Sequence, residues 1–395
     1  MFPAPPDHSP RGFPPLSAEE RAHEARMLAH LERTIAEAEG WIPFADYMNA
    51  ALYAPGLGYY AAGAYKLGAG GDFVTAPELT PLFGRTLATQ LEQALKQLDR
   101  AEVIELGPGS GRLCADVLSA LAERDALPAR YWLLEVSPDL RERQRAHLDA
   151  VAPEHLPRVG WLDVLPERWA GALVANEVLD AVPVHLVARR DGDWLERGVC
   201  FDGQGRLAFA DRALASPMLR ERAQARFPAS GDYVSELNPA AEALVSSLAR
   251  RCERGLILFV DYGFPAAEYY HPQRDRGTLM AHYRHRALPD PFFRPGLVDL
   301  TAHVDFSAMA HAAVAGGMTV AGFAAQAQFL INCGLLDHLA RRGDPQSSAY
   351  LRAAGAVQKL TSPAEMGELV KVLALTRGIE PTLIGFRDGD RAHRL

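Results

Sequence analysis

The stretch that most narrows what this chain can fold into is Val103–Leu113, VIELGPGSGRL. A short apolar run ends at an acidic residue, Glu105. Gly107, Gly109 and Gly111 follow at alternate positions, and helix-forming sequence then runs to about Glu123. Glycine takes positive φ at no steric cost, so a ligand can approach the backbone of such a turn closely. The first turn of the following helix leaves its N–H groups without intrahelical partners. Strand, glycine turn and helix in this order begin a βαβ unit. Similar units recur. Tyr131–Val136 reads as a strand, Asp139–Leu148 as a helix, and Val159–Leu162 and Ala172–Ala175 as two further strands. The repetition predicts an α/β fold, a parallel sheet with helices on both faces.

The flanks read differently. Ser17 followed by Glu20 forms a capping box for a helix to about Ala38, stopped at Gly40. Residues 41–81 are rich in Gly and Tyr and read as a structured loop or lid, before a helix from Leu82 to about Leu98. After the fourth strand, Val184–Ala188, Trp194–Val199 and Leu207–Ala210 are short strands separated by Asp191-Gly192 and Asp202-Gly203. Those turn signals predict an antiparallel insertion. A helix over Pro239–Arg251 and an apolar strand over Gly255–Gly263 follow, then a polar, aromatic segment from Tyr269 to about Pro295. Helices and candidate strands at Met318–Phe323, Val370–Leu375 and Thr382–Phe386 close the chain. The expected organisation is a disordered tail over 1–16, a helical region and lid over 17–98, and a ligand-binding core over 99–265 carrying the insertion at about 184–235. Residues 266–395 are expected to supply substrate-side loops and complete the sheet.

Composition removes several classes. Of 395 residues, 41 are Lys or Arg and 49 Asp or Glu, a net charge of -8. That is no phosphate-neutralising body, so nucleic acid is not the expected partner. The four cysteines, Cys114, Cys200, Cys252 and Cys333, form no Cys-x-x-Cys pair, which argues against a disulfide framework or zinc ribbon. No apolar run approaches the length of a membrane span. The proline-rich start lacks the apolar core of a secretory signal, and Glu19 and Glu20 argue against a transit peptide, so a cytoplasmic chain is expected. His271, His282 and His285 lie near Asp275 without a metal-binding spacing, and no metal is expected.

The glycine pattern separates two kinds of nucleotide ligand. The dinucleotide fingerprint Gly-x-Gly-x-x-Gly needs its third glycine at position 112, which is Arg112, and Pro108 removes a donor from the turn. The observed Glu-x-Gly-x-Gly-x-Gly resembles the first motif of S-adenosylmethionine methyltransferases. In that motif the acidic residue, here Glu105, sits near the methionine end of the ligand. Glu135 ends the next strand, 24 residues after Gly111. Its carboxylate can accept both ribose hydroxyls, or it caps its strand. Asp163, after the third strand, meets an adenine amino group or serves a turn. Asn176 ends the fourth strand and opens NEVLDAVP. Ligands of open α/β sheets lie at the carboxyl ends of strands, which places Asn176, Glu177 and Asp180 at the methyl acceptor. Alternatively Asn176 caps a helix, on which Glu177 and Asp180 then share a face. Asp261, His303 and Asp305 are further acid–base candidates. Tyr59, Tyr60 and Tyr262 either wall the pocket or pack. Thr75, Pro77 and Glu78 are candidates for a lid over the methionine end.

Seven segments taken together resemble the MidA-like family of class I methyltransferases, to which the mitochondrial complex I assembly-factor protein arginine methyltransferase belongs. They are Gly71–Ala88, IELGPGSGRL, Leu133–Gln144, Ala175–Val184, Phe259–Phe264, Gly277–His285 and Asp299–Met309. The resemblance implies a Rossmann-like methyltransferase sheet with an extra helical and antiparallel subdomain, and S-adenosylmethionine as cofactor. For the mitochondrial relatives it implies symmetric dimethylation of an arginine in a complex I subunit. The family's Thr-Ser-Pro-Glu stands here as Thr75-Ala76-Pro77-Glu78. A protein with an accessible arginine is then the expected partner, bound by a monomer or homodimer. Carboxylates suit that substrate, because arginine stays protonated and its N–H groups must be held and one proton accepted; Glu177, directly after the fourth strand, is the first candidate. The alternatives are an S-adenosylmethionine-binding assembly factor with little turnover, a small-molecule methyltransferase, and, weakest, a nicotinamide dehydrogenase.

Overall fold

A computed structural model describes residues 13–61 and 75–395. Its central sheet is built from β1 (Glu102–Leu106), β2 (Arg130–Leu134), β3 (Val159–Leu162), β4 (Trp169–Asn176), β5 (Cys252–Phe264), β6 (Thr319–Ala325) and β7 (Val370–Arg377). The spatial order is β3-β2-β1-β4-β5-β7-β6. β1 to β5 run parallel, and β7 is antiparallel to both β5 and β6. The order reverses between β1 and β4. At such a switch point the connections leave in opposite directions and a crevice opens at the carboxyl ends of the strands.

Period-two side-chain direction fills both faces of the sheet. Leu256, Leu258 and Val260 of β5 pack with Leu87, Leu118 and Leu121 on one side. Ile257 and Phe259 pack with Leu248, Met309 and Phe323 on the other. A strand buried on both faces reads as a continuous apolar run, and each fully buried Leu or Ile contributes roughly 1.5–3 kcal/mol. This is the expected sheet with helices on both faces.

The insertion is antiparallel as expected, and larger. Strands His185–Arg190, Asp193–Phe201, Leu207–Ala213 and Tyr233–Leu237 form it, and Ile42–Pro43 pairs with Gly198–Val199 at its edge. A third, small sheet joins Met280–Tyr283, Arg286–Leu288 and Asp299–Thr301.

Four expectations are corrected. Within 41–81, Phe44–Tyr53 is a helix whose Phe44, Tyr47, Met48 and Leu52 are buried, so it is a core element rather than a loop. Those four positions follow helical spacing, which the surrounding Gly and Tyr conceal. The expected strand Thr382–Phe386 is a single tight turn at Ile384–Phe386. Phe386 packs on Phe329 there, and a short apolar run serves as a core plug as readily as a strand. Of the expected disordered tail, 1–12 lie outside the described residues. Phe13, however, packs its ring against Tyr283 and Phe293 at 5.4 and 5.6 Å. Finally, the segment after Asn176 is not helical, for a reason that lies in the site itself.

Candidate active site

The glycine turn after β1 takes positive φ at Gly107 (58°), Gly109 (52°) and Gly111 (83°). A Cβ on Gly107 would come within 2.9 Å of the Val178 side chain, so the turn lies against the loop that follows β4. Gln144 fastens the turn to the next strand. Its Nε2 donates to the Gly109 carbonyl at 2.9 Å and to Glu135 Oε2 at 3.3 Å, while its Oε1 accepts from Trp161 Nε1 at 2.8 Å. The Ser137 amide donates to Glu135 Oε1 at 2.8 Å. Burial raises the Glu135 pKa against the pull of that amide. Val136 and Val164, directly after the two acidic strand-end residues, are 75% and 74% exposed. They offer apolar edges to a flat ring. Asp163 is exposed and ion-paired with Arg141 at 2.7 Å.

Glu105 faces the other way from this crevice, against Tyr131, whose hydroxyl donates to it at 2.6 Å. Burial pushes its carboxyl up to about 8, the tyrosine hydrogen bond opposing. The short helix Ala76–Leu79 reaches over the turn. Ser110 Oγ donates to Glu78, and Arg112 pairs with the same carboxylate at 3.4 Å. Two residues earlier, the Ala76 amide donates to Glu177 Oε1 at 3.4 Å. One segment, Thr75-Ala76-Pro77-Glu78, thus touches both the turn and the end of β4. Residues 62–74 before it lie outside the described residues.

At the ends of β4 and β5 the chemistry changes from glycine to carboxylate. Asp261 accepts the amides of Val178, Leu179 and Asp180 on Oδ2 at 3.1, 2.8 and 3.3 Å, and that of Tyr262 on Oδ1 at 2.8 Å. Three amides gathered on one oxygen fold NEVLDAVP into a tight loop, and this displaces the helix. Glu177 takes a left-handed φ of 52°, a costly conformation for a side chain with a Cβ, and its amide donates to the Val260 carbonyl at 2.8 Å. Asp180 is buried, 6% exposed. Asp299, from the small third sheet, is buried and accepts the Tyr60 hydroxyl at 2.9 Å. Tyr60 stacks on Tyr53, centroids 5.6 Å apart, and Tyr53 donates to the Ala181 carbonyl at 3.0 Å.

These carboxylates act on one another. Burial and then the Asp261 charge push Glu177 up to about 8. Burial, then Asp261, Glu177 and Asp299, hold Asp180 well above the ordinary carboxylate range. Burial pushes Asp261 to about 7 against its four amides. A group of acids that disfavour one another's ionisation is relieved by a cation. Among the described residues no group of three or more His, Cys, Asp or Glu is arranged to hold a metal ion.

Comparison with known proteins resolves which ligand the crevice serves. A sequence model of S-adenosyl-L-methionine-dependent methyltransferases matches residues 84–324. The chain belongs to this methyltransferase family. A crystal structure of a Burkholderia thailandensis superfamily member bound to S-adenosyl-homocysteine is 49% identical and superposes with a TM-score of 0.93, over 97% of this chain and 100% of that one. The mitochondrial protein arginine methyltransferase NDUFAF7 homolog of Drosophila melanogaster is 30% identical over 94% of this chain and 90% of its own. The human protein arginine methyltransferase NDUFAF7 is 29% identical over 88% and 83%.

The cofactor of this methyltransferase is therefore S-adenosylmethionine, which supplies an electrophilic methyl group on a sulfonium. The residues present fit it. The positive-φ turn leaves the backbone approachable, Glu135 is held with its carboxylate at the mouth of β2, and the two valines flank the space beyond. Asn176 donates from Nδ2 to Glu177 at 3.3 Å, while its buried Oδ1 has no hydrogen-bond partner among the described residues. That oxygen is an acceptor left over where the two halves of the site meet.

Two further sequence candidates are placed elsewhere. Asp305 caps the helix Phe306–Ala315, accepting the Ala308 amide at 3.1 Å, and faces Arg226 at 3.7 Å. Its capping role corrects the catalytic expectation. Asp261 likewise positions the loop rather than standing free to take a proton. His303 lies between the rings of Tyr262 and Phe264. Burial, then Arg274 and Lys371, push its imidazole down to about 4, so it is neutral near pH 7. Its amide donates to Thr278 Oγ1 at 2.9 Å, and the Thr278 amide donates to Glu236 at 2.7 Å. Gln144, Glu236, Asp299, Tyr53 and the two valines were not singled out by sequence reasoning. The valines carry a signal, since each follows an acidic strand-end residue; Gln144 closes a segment already notable as LLEVSPDLRERQ.

Proposed function

We propose that the methyltransferase transfers a methyl group to an arginine side chain of a protein. The observation that carries this reading is the group of carboxylates beside the cofactor crevice, half-buried Glu177 with buried Asp180 and Asp299, where Asp261 clamps the loop that bears the first two. A guanidinium is a planar cation with five N–H donors and no acceptor. It matches a site that presents acidic oxygens and a stacked tyrosine pair. Relatives about 30% identical over most of the chain carry the name protein arginine methyltransferase, which supports the same substrate class. Among the described residues no helix is long and apolar enough to cross a membrane.

In this reading Glu177 and Asp180 accept N–H bonds from the guanidinium and turn one nitrogen toward the methyl group. Orientation of this kind lowers a barrier by up to roughly 7–11 kcal/mol in favourable systems. A proton must leave the nitrogen as the new bond forms. Glu177 is pushed to about 8 in the free site; the arriving cation favours its ionised form, and that carboxylate takes the proton. Thr75 and Pro77 are assigned to the methionine end, and Asp163 to the adenine edge, while Glu105, turned onto Tyr131, is not assigned a ligand contact.

The test is direct. The protein is incubated with tritium-labelled S-adenosylmethionine and a cell extract, and the labelled proteins are hydrolysed to amino acids. Label in methylarginine is expected. Label confined to lysine, or to small molecules alone, removes the proposal while leaving the methyltransferase intact.

A further inference from the structure

Beside the helix Pro81–Leu95 lies a recess of about 310 Å³ lined by Leu82, Arg85, His338, Arg341 and Arg342. Its charge runs against that of the chain, which carries -8 overall. Arg341 and Arg342 follow the helix Leu335–Ala340 and are exposed, and neither forms a side-chain ion pair among the described residues. Arg85 pairs with Glu123, whose side chain is itself 56% exposed. A fourth guanidinium, Arg124, donates to His338 Nε2 at 3.2 Å while also holding Glu92 at 3.1 Å.

The imidazole registers what these groups do to the recess. His338 is buried, and burial together with Arg124, Arg85 and Arg341 pushes it down to about 4, Asp337 opposing. Another carboxyl that interacts with these cations, Asp116, is itself pushed up to about 6 by burial, against Arg112, Arg85 and Arg342. It is a weakened counter-charge. Arg341 and Arg342 add two guanidiniums without ion-pair partners among the described residues to the paired Arg85 and Arg124; such neighbouring cations repel one another, and an anion at that place relieves the repulsion. Guanidinium forks fit the oxygens of phosphate in pairs.

We propose that this recess is a second ligand site, which takes the phosphate groups of a small polyanion, either free pyrophosphate or the diphosphate of a nucleotide. Arg341 and Arg342 make the principal contacts and Arg85 the third. The compact volume suits a diphosphate better than a folded acidic partner. The site is separate from the cofactor crevice and its occupancy does not depend on which group is methylated.

The experiment titrates the full-length protein with inorganic pyrophosphate and, separately, with ADP. Calorimetry is run with S-adenosylhomocysteine at saturation, so that the crevice is filled. Saturable binding is expected, and its affinity should fall as salt rises. The double variant Arg341→Ala/Arg342→Ala should lose at least tenfold in affinity, while its S-adenosylhomocysteine affinity stays unchanged. Arg206→Ala, on an exposed turn, should bind as the parent does. ADP binding tighter than pyrophosphate assigns the site to a nucleotide, and equal binding assigns it to the phosphates alone. No saturable binding of either ligand, or equal binding by the double variant, overturns the proposal. So does binding seen only without S-adenosylhomocysteine, which places the anion in the crevice instead.

Discussion

The two halves of the crevice are built on opposite principles. The cofactor half comes from one continuous stretch, β1 to β3. A glycine turn, a carboxylate one strand later and a glutamine on the helix after that strand meet because adjacent parallel strands bring successive carboxyl ends side by side. The proposed acceptor half is gathered from four distant places: Tyr53 with Tyr60, Glu177 with Asp180, Asp261, and Asp299. The first half works by leaving room, with positive φ at its glycines. The second works by crowding acids until their ionisation is disfavoured. A fold can therefore fix its cofactor with local sequence and still vary its acceptor through remote loops.

If the halves are separable, changes in one should spare the other. Glu135→Ala should have the largest effect. Loss of a carboxylate that accepts hydroxyls removes roughly 1.5–3 kcal/mol. Affinity for S-adenosylhomocysteine in calorimetry should then fall by roughly 10- to 150-fold. Circular dichroism should show the acceptor half still folded.

The acid cluster makes the next largest prediction, through pH. Glu177 stands at about 8 in the folded state against an ordinary 4.5. The folded protein therefore holds a proton that the unfolded chain has released over that interval. This contribution is full below the ordinary value and is lost as pH rises through the folded one. Thermal unfolding should report a loss of on the order of 4 kcal/mol from the cluster between about pH 5 and pH 9. Glu177→Gln should flatten that slope. An unchanged slope would mean that the cluster is solvated and does not act as a unit.

Asp299→Asn sharpens the comparison further. Removing one acidic arm should raise KM for an arginine-containing peptide about tenfold, the order expected for one charge-assisted hydrogen bond. Affinity for S-adenosylhomocysteine should not move. The smallest effect belongs to Asp163→Ala. Its carboxylate is exposed and paired with Arg141, and an exposed pair contributes about 1 kcal/mol at most. Cofactor affinity should fall by less than about fivefold.

The same contrast explains what was legible in the sequence. Gly107, Gly109, Gly111 and Glu135 could be read because their spacing along the chain is their spacing in the site. The parallel strands were legible because burial on both faces leaves an uninterrupted apolar run. Asp299 and Tyr60 were hidden, since nothing within either local segment says that they meet across 239 positions. Asp261 was legible as a strand-end acid but not as a loop clamp, because that role depends on three amides 81 to 83 positions away. The helix Phe44–Tyr53 was concealed by the glycines and tyrosines around it. Asp305 reads as a reactive acid only until its helix is seen.

The central claim is that the carboxylates at the ends of β4 and β5 hold the methyl acceptor while the glycine turn and Glu135 hold the cofactor. Its most direct test is Glu177→Gln, assayed at once for labelled methyl transfer to arginine and for S-adenosylhomocysteine affinity. Transfer should fall by about 100-fold or more, the range for a group that accepts a proton in the transition state, with affinity within about twofold of the parent. Undiminished transfer, or a matching loss of cofactor affinity, would contradict the division of labour.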